Sequence, residues 1–325
     1  AKALDLQGHV MEGLKVLEDE AIPRARALGD SWGLVDVLSY AGNSYLMQGA
    51  FDLAMQRTEE ALTAAERLDD PELIAFMQFR RGRIAFYRGE WDGARADIER
   101  AAGAISRGKT TWWTSIVLVG LGEFCLFTGQ WDRAAACVAK GLARAERSAD
   151  LHALRWAHHV LAEREVMEGQ AQQARAQLEP LLDRVGQQER EVTELLPLLA
   201  QAYLELGDVG KASALAANSV TRATAANMRL VLADALQVKA SVALWQRRWD
   251  TARDMLEDAL ALSRAIPYPY AEAKGLYTYG LLHQLKGELQ QAAERLTAAR
   301  TILNRLGERF YAQYVERALA KTERG

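Results

Sequence analysis

The stretch GEWDGA at Gly89–Ala94 is followed 40 residues later by GQWDRA at Gly129–Ala134. Two architectures have repeats of about this length. β-Propellers have blades of roughly 40–45 residues that often carry a Trp-Asp pair, and α-helical solenoids repeat a pair of helices. The remaining copies of the pattern and the sequence between them distinguish these two architectures.

The six-residue pattern recurs along the whole chain at a nearly constant spacing. Further copies begin at Gly49, Gly169, Gly207, Arg247 and Gly287, and a degenerate copy, GHVMEG, begins at Gly8. From Gly49 to Gly287 the successive separations are 40, 40, 40, 38, 40 and 40 residues. A fixed period of this kind is the mark of a repeat protein.

The sequence between the copies is helical in character. Ala, Leu, Glu, Arg and Gln dominate it, and runs of Thr, Val or Ile alternating at period two are scarce. Six prolines are too few for four strands and their turns in every blade. The sequence therefore excludes a propeller and predicts an all-α solenoid, in which each unit has a helix A before the repeated Gly and a helix B after it.

Individual places in the repeat have predictable roles. The Gly is expected to end helix A in the left-handed conformation. Asp52, Asp92, Asp132 and Asp250 fall at the start of helix B, where a carboxylate either caps free N–H groups or favours the positive end of the helix dipole. The bulky residue between Gly and Asp, such as Trp91, is expected to fill the joint with the neighbouring unit.

Two places in the repeat hold small residues, which allow helices A and B to approach each other. One lies eight residues before the Gly, and the other five residues after it. The first holds Gly42, Gly82, Gly122, Ala162, Ala200, Ala240 and Gly280, and the second holds Ala54, Ala94, Ala134, Ala174, Ala212, Ala252 and Ala292.

These residues resemble the tetratricopeptide repeat (TPR). The series Gly42, Tyr45, Gly49 and Ala54 matches four places of that pattern, and the series from Ala200 to Ala212 matches it with Ala as the small residue. Ala61, Ala101, Ala259 and Ala299 match a further small place in helix B. The period of 40 exceeds the usual 34, and the late Pro of the pattern is absent. The resemblance implies a right-handed superhelix and says little about activity.

The C-terminal stretch, residues 265–319, also resembles the end of large bacterial regulators. Those proteins carry a STAND-type ATPase and a TPR array, together with a LuxR-type DNA-binding domain or a nucleotide-cyclase domain. We expect a truncated first repeat at 1–30, about seven full repeats at 31–309 and a capping helix at 310–325. The chain lacks an initiator Met and opens directly into helical pattern, so we expect a piece excised from a longer protein.

The net charge and the cysteine content restrict the possible classes of partner and the cellular compartment. The formal net charge is −3 and the pI is about 6.1, which gives no reason to expect direct binding to nucleic acid or an anionic membrane. Only Cys125 and Cys137 are present, which fits a reducing compartment, and no secretory signal is visible at the N-terminus. We expect a cytoplasmic protein.

No catalytic or cofactor signature is present. The sequence lacks GxxxxGK[ST], GxSxG, HExxH and CxxC, so we expect no enzyme activity and no cofactor. His152, His158 and His159 cluster, and His159 and Glu163 share one helix face. A metal site needs three or four converging ligands, so we expect these residues to be solvated or to line a groove. Cys125 is expected to face the core.

The TPR resemblance implies that helix A lines an inner groove with its second, fifth, ninth, twelfth and thirteenth residues. Of the residues at these places, Phe86, Leu126 and Val166 are expected to be core. Phe76, Arg83, Trp156 and His159 are expected to be exposed, as is one of Trp112 and Trp113. The predicted partner groove consists of Phe76, Phe79, Arg83, Tyr87, Trp113, Ile116, Glu123, Trp156, His159 and Glu163.

Aromatic residues together with Arg and acids suit a peptide or a partner helix. The first hypothesis is a non-catalytic binding and sensing array within a larger bacterial signalling or transcription regulator, in contact with adjacent domains of that chain. The alternative is a freestanding peptide or protein receptor with no attached output domain. An enzyme is the third and weakest hypothesis, because no nucleophile, base or cofactor motif is present.

Overall fold

The computed structural model describes Leu4 and residues 9–107, 113–184 and 189–323, with the side chains of residues 106 and 107 left aside. Within these ranges all regular secondary structure is helical. The α-helices are α1 (Val10–Val16), α2 (Ile22–Leu28), α3 (Ser31–Met47), α4 (Phe51–Arg67), α5 (Pro71–Tyr87), α6 (Trp91–Arg107), α7 (Thr114–Phe127), α8 (Trp131–Ser148), α9 (Leu151–Met167), α10 (Ala171–Leu178), α11 (Arg190–Glu205), α12 (Val209–Ala225), α13 (Arg229–Trp245), α14 (Trp249–Ala265), α15 (Pro269–Lys286), α16 (Leu289–Leu306) and α17 (Ala312–Thr322). A π-helical turn, Leu17–Ala21, joins α1 to α2, and a 3-10 turn, Glu179–Leu181, follows α10.

From α3 to α16 the helices pack as consecutive pairs, each a helix A followed by a helix B. Each helix B also packs on the helix A that follows it. The predicted all-α solenoid of TPR-like helix pairs is confirmed.

The turn between helices A and B depends on a left-handed residue. Gly49, Gly89, Gly129, Gly169, Gly207 and Gly287 have φ between 70° and 81°, as predicted. Arg247 takes the same place in the one unit that lacks Gly, with φ 56°.

The capping role considered for the first-turn Asp residues is wrong at three of the four sites. The N-caps of α4, α8 and α14 are Ala50, Gln130 and Arg248, and none of these helices has a side-chain cap, so Asp52, Asp132 and Asp250 lie inside the first turn. Asp30, Asp70 and Asp150 instead cap helices A, and Asp70 accepts hydrogen bonds from two backbone N–H groups at 3.0 and 3.1 Å. Sequence reasoning missed these caps, although they too fall in the 40-residue register.

Helices A and B approach each other closely at the repeat places that hold small residues. A methyl group on Gly82 would lie 3.0 Å from Ile98 Cγ1 and 3.2 Å from the carbonyl oxygen of Ala94. On Gly280 it would lie 2.6 Å from Leu296 Cγ. The small residues are therefore required by packing between the helices of one unit.

The superhelix turns back on itself, so that early units contact late ones. Phe127 accepts a backbone hydrogen bond from Arg309 at 2.7 Å, and its ring lies 5.0 Å from that of Tyr270. The hydroxyl of Tyr314 donates to the carbonyl oxygen of Met167. The ends of α7 and α9 are thus covered by the C-terminal part of the array.

Position 91 behaves as predicted, but its equivalent at 131 does not. Trp91 is 4% exposed and packs near Phe124 of the next unit, with 6.1 Å between ring centroids. Trp131 is 40% exposed, and its ring lies 6.0 Å from that of Phe310 in the C-terminal segment. The place therefore does not require burial in every unit.

Buried ion pairs join α9 to the start of α11. Arg155 binds the carboxylates of Glu189 and Glu191, and Glu191 also binds His152 at 2.9 Å. Burial opposes ionisation of Glu191, but His152, Arg190 and Arg155 together lower its pKa to about 2. Removal of one partner from such a cluster leaves an uncompensated charge in the interior, so these residues serve the fold.

No helix among the described residues is both long and apolar enough to cross a membrane.

Candidate functional site

A cavity of about 320 Å³ lies between the helices A of the later units and the C-terminal segment. The walls come from α9, α11, α13 and α15, and are completed by Tyr87, Tyr268, Tyr311 and Tyr314. The residues contributed by α11, α13 and α15 include Glu194, Pro197, Gln201, Glu205, Asp234, Gln237, Ser241, Lys274, Tyr277 and Leu281.

These residues occupy the same repeat places that the TPR resemblance assigns to the groove. Glu194, Asp234 and Lys274 each lie 13 residues before the left-handed residue of their unit, as Phe76 and Trp156 do in earlier units. The groove residues were predicted only for the helices A that end at Gly89, Gly129 and Gly169, so these residues were missed. The 40-residue register itself was the signal that could have found them.

Of the predicted groove residues, Tyr87, His159 and Glu163 line this cavity. Arg83, Glu123 and Trp156 line a smaller pocket of about 60 Å³, which shares Tyr87, His159 and Glu194 with the cavity. The structure therefore brings six of the ten predicted residues to two adjoining pockets.

The remaining four predicted residues lie elsewhere. Phe79 and Ile116 are in the core, and Phe76 stacks on the buried Trp113 with 5.3 Å between ring centroids. Trp112 lies outside the described residues.

The expected exposure of Phe76 and Trp156 is wrong. Phe76 is 3% and Trp156 9% exposed, because each side chain packs against aromatic residues of neighbouring units. Arg83 is buried as well. The predicted burial of Phe86, Leu126, Val166 and Cys125 is confirmed.

The polar wall of the cavity contains one ion pair. Lys274 Nζ lies 2.5 Å from Asp234 Oδ1 and 5.3 Å from the ring centroid of Tyr270. Burial opposes the charged form of the lysine, but the carboxylates of Asp234 and Glu163 raise the pKa of Lys274 above its usual range. Lys274 therefore stays charged in the folded chain.

Glu163 and His159 are both held in their neutral forms near pH 7. Burial raises the pKa of Glu163 to about 8, with Lys274 opposing the shift and Glu123, Asp234 and Glu308 reinforcing it. Burial lowers the pKa of His159 to about 4. A neutral carboxyl and a neutral imidazole one helical turn apart can bind polar ligand groups, but neither adds charge to the empty cavity.

In the smaller pocket, Arg83 lies between aromatic rings. Its guanidinium carbon is 4.4 Å from the ring centroid of Trp156, and its Nη2 donates to Tyr87 at 3.3 Å. Glu123 accepts a hydrogen bond from the indole N–H of Trp156 at 3.2 Å. Burial raises the pKa of Glu123, while Arg83 opposes the shift. The positive charge of Arg83 is thus faced by a carboxyl group inside the same pocket.

Within the part of the chain that the structure describes, no three His, Cys, Asp or Glu residues are grouped so as to hold a metal ion. The two cysteines are free, and burial raises the pKa of the Cys125 thiol to about 11.

No protein-family model and no curated protein matches this sequence. Among solved structures, the Rap conjugation gene regulator of the plasmid pLS20 in complex with the Phr* peptide has a TM-score of 0.67 and 13% identity, over 91% of this chain and 79% of that one. A Rap protein complexed with Competence and Sporulation Factor has a TM-score of 0.59 and 13% identity, over 98% of each chain. The apo form of the quorum sensor NprR from B. thuringiensis has a TM-score of 0.55 and 13% identity, over 99% of this chain and 100% of that one. At this level of identity the likeness shows a shared fold.

Proposed function

We propose that this chain is a non-catalytic sensing module that binds a short peptide or an extended protein segment in the 320 Å³ cavity. The observation that carries the proposal is the wall itself, built by the same repeat places of four consecutive helices A. Apolar side chains such as Leu281 alternate there with a few convergent polar groups, which is the usual composition of a small-ligand or peptide site.

The structural relatives support a peptide more than a metabolite. Of the structures to which the chain is similar over most of its length, one is a complex with the Phr* peptide and another is a complex with Competence and Sporulation Factor. Tyr87, His159 and Glu163 are the predicted groove residues that we assign to ligand contact.

The remaining parts of the functional hypothesis rest on sequence resemblance. We propose a bacterial, cytoplasmic regulator in which this array is joined to a signalling or DNA-binding output. Ligand binding between early and late units would change the curvature of the array and so the activity of attached domains. A freestanding receptor stays the alternative, because the cavity has the same chemistry in either setting.

The experiment is a thermal-shift screen of the chain with pooled synthetic pentapeptides. A ligand that binds only the folded state raises the melting temperature. Ser241→Trp places an indole in the cavity and should abolish the shift, while Ala261→Trp on the exposed side of α14 should leave it unchanged. A complete absence of shift with every pool, or an equal shift in the two variants, would contradict the proposal.

A further inference from the structure

The carboxyl group of Glu163 lines the cavity without a hydrogen bond or an ion pair to any described residue. It lies near Lys274, but the ammonium of Lys274 is 2.5 Å from Asp234. Glu163 shares the cavity wall with Tyr268 and Tyr311, whose side chains are both buried. The site thus holds a carboxyl group that has no basic partner among the described residues.

The other charges around the cavity do not supply that counter-ion. Besides Glu163, the wall carries the acidic residues Glu194, Glu205 and Asp234, whereas its permanently charged base is Lys274. Arg190 binds Glu194 at 2.8 Å from behind the wall. With Lys274 bound to Asp234, Glu163 and Glu205 have no basic partner among the described residues, so a cation that enters the cavity can pair with either carboxyl group once it loses its proton.

Aromatic rings surround the same space. Tyr268 is buried and lines the cavity, and within the described ranges its hydroxyl makes no hydrogen bond. The side-chain amide of Gln237 donates a hydrogen bond to the hydroxyl of Tyr311 at 3.5 Å. Rings beside an unpaired carboxyl group form the kind of site that binds guanidinium and ammonium groups, through the negative ring face and the ion pair together.

We propose that the ligand carries a guanidinium or ammonium group and that this group forms an ion pair with Glu163 beside Tyr268 and Tyr311. The inference rests on the proposed function, because it specifies the chemistry of the peptide that the cavity takes. An arginine or lysine side chain and a free peptide N-terminus share this chemistry.

Ion pairing with Glu163 couples ligand binding to the release of a proton. Because the pKa of Glu163 is about 8 in the empty cavity, the carboxyl group must lose its proton when the cation enters. The groups that face it are Lys274 from α15, Asp234 from α13, Glu123 from α7, Glu308 before α17, and His159 on α9 itself. Of these, His159 has a pKa of about 4, so it does not change charge between pH 6 and 8, whereas Glu308, whose pKa burial raises to about 7, does.

The test uses end-blocked pentapeptide pools with arginine at one fixed position, and matched pools with citrulline, its neutral isostere, at that position. Titration calorimetry at pH 8 should show the arginine pools binding about tenfold tighter, the usual order for a hydrogen bond to a charged group. Glu163→Gln should abolish this preference, while Glu146→Gln on the exposed surface should retain it. An N-terminal amine as the source would appear as tighter binding of citrulline pools with a free N-terminus.

A second measurement varies the pH. For the wild-type chain, affinity for the arginine pools should rise up to tenfold per pH unit from pH 6 to 8, and calorimetry in two buffers should show release of one proton. Glu163→Gln, which retains Glu308, should lose most of this rise. Equal affinity for the blocked arginine and the blocked and free citrulline pools would overturn the cation proposal and leave peptide binding intact. An absence of binding by every pool would overturn both.

Discussion

The indole of Trp91 stacks on the ring of Phe86 with 4.9 Å between centroids, and its N–H donates to the carbonyl oxygen of the same residue at 3.0 Å. That carbonyl belongs to the last turn of α5, where it also accepts the backbone N–H of Gly89 at 3.0 Å. A single side chain therefore both fills the joint between units and adds a second hydrogen bond to the helix end.

Replacement of Trp91 by Ala should lower the free energy of unfolding by about 3–5 kcal/mol, because a large buried side chain is lost and a cavity is left. Trp91→Phe should recover most of this loss, except for about 1 kcal/mol from the missing hydrogen bond. Urea denaturation monitored by far-UV circular dichroism measures both.

Trp131→Ala is the matched control, since it occupies the same repeat place but is 40% exposed. It should cost well under half as much as Trp91→Ala. Equal losses for the two variants would show that burial at this place does not determine its contribution.

The turn at Arg247 offers a stabilising substitution. Arg247 adopts φ 56° where the other units have Gly, and a side chain in that region costs roughly 1 kcal/mol. Arg247→Gly should raise the free energy of unfolding by about 0.5–1 kcal/mol, the lower end reflecting the greater freedom of Gly in the unfolded chain. A melting temperature at or below that of the wild type would mean that the Arg side chain makes compensating contacts.

Two glycine-to-alanine substitutions test how closely the early and late units of the superhelix pack against each other. Gly89 and Gly169 have φ 81° and 78°, so an Ala at either place carries the same backbone strain. A methyl group on Gly89 would also lie 2.5 Å from Pro269 Cγ, whereas one on Gly169 would meet nothing within 4 Å. Gly89→Ala should therefore destabilise the chain by about 1–3 kcal/mol more than Gly169→Ala. Matching losses in urea melts would argue against tight contact between these turns.

Local features of the fold were predictable from sequence because they depend on residues close together in the chain. The left-handed Gly at 89 and the small residue at 82 both act within one helix pair. The burial of Trp156 was not predictable in this way, because its neighbour Phe79 lies two units away. Contacts of this range depend on how tightly the superhelix coils.

The candidate cavity has the same dependence on coiling. The repeat places of Asp234 and Lys274 could be counted from the sequence. The sequence could not indicate that Tyr87 and Tyr268 lie in contact, with 5.3 Å between their ring centroids. The groove places of Phe76, Phe79 and Ile116 in the early units became core, whereas Tyr87 and the groove places of the later units became cavity wall. A single repeat motif cannot indicate which outcome applies to a given unit.

The half-buried carboxyl group of Glu163 makes the free energy of unfolding depend on pH in a defined window. Its pKa rises from 4.5 in the unfolded chain to about 8 in the folded one, so its neutral form stabilises the fold. The stabilisation is complete below pH 4.5 and is lost as pH rises through 8. Burial raises the pKa of Glu308 to about 7, so its titration also lowers the free energy of unfolding as pH rises, at lower pH than Glu163 does. The titration of His159 has the opposite effect and raises the free energy of unfolding between pH 4 and 6.5.

Between pH 7 and 8, Glu163 therefore dominates among these three groups. The free energy of unfolding of the empty chain should fall there with a slope of up to about 1.4 kcal/mol per pH unit. Urea melts at closely spaced pH values should show this slope in the wild type and in Glu146→Gln, and a clearly smaller slope in Glu163→Gln, where Glu308, with a pKa of about 7, still contributes. The same slope in all three proteins would place the proton on another group and remove the basis for coupling ligand binding to Glu163.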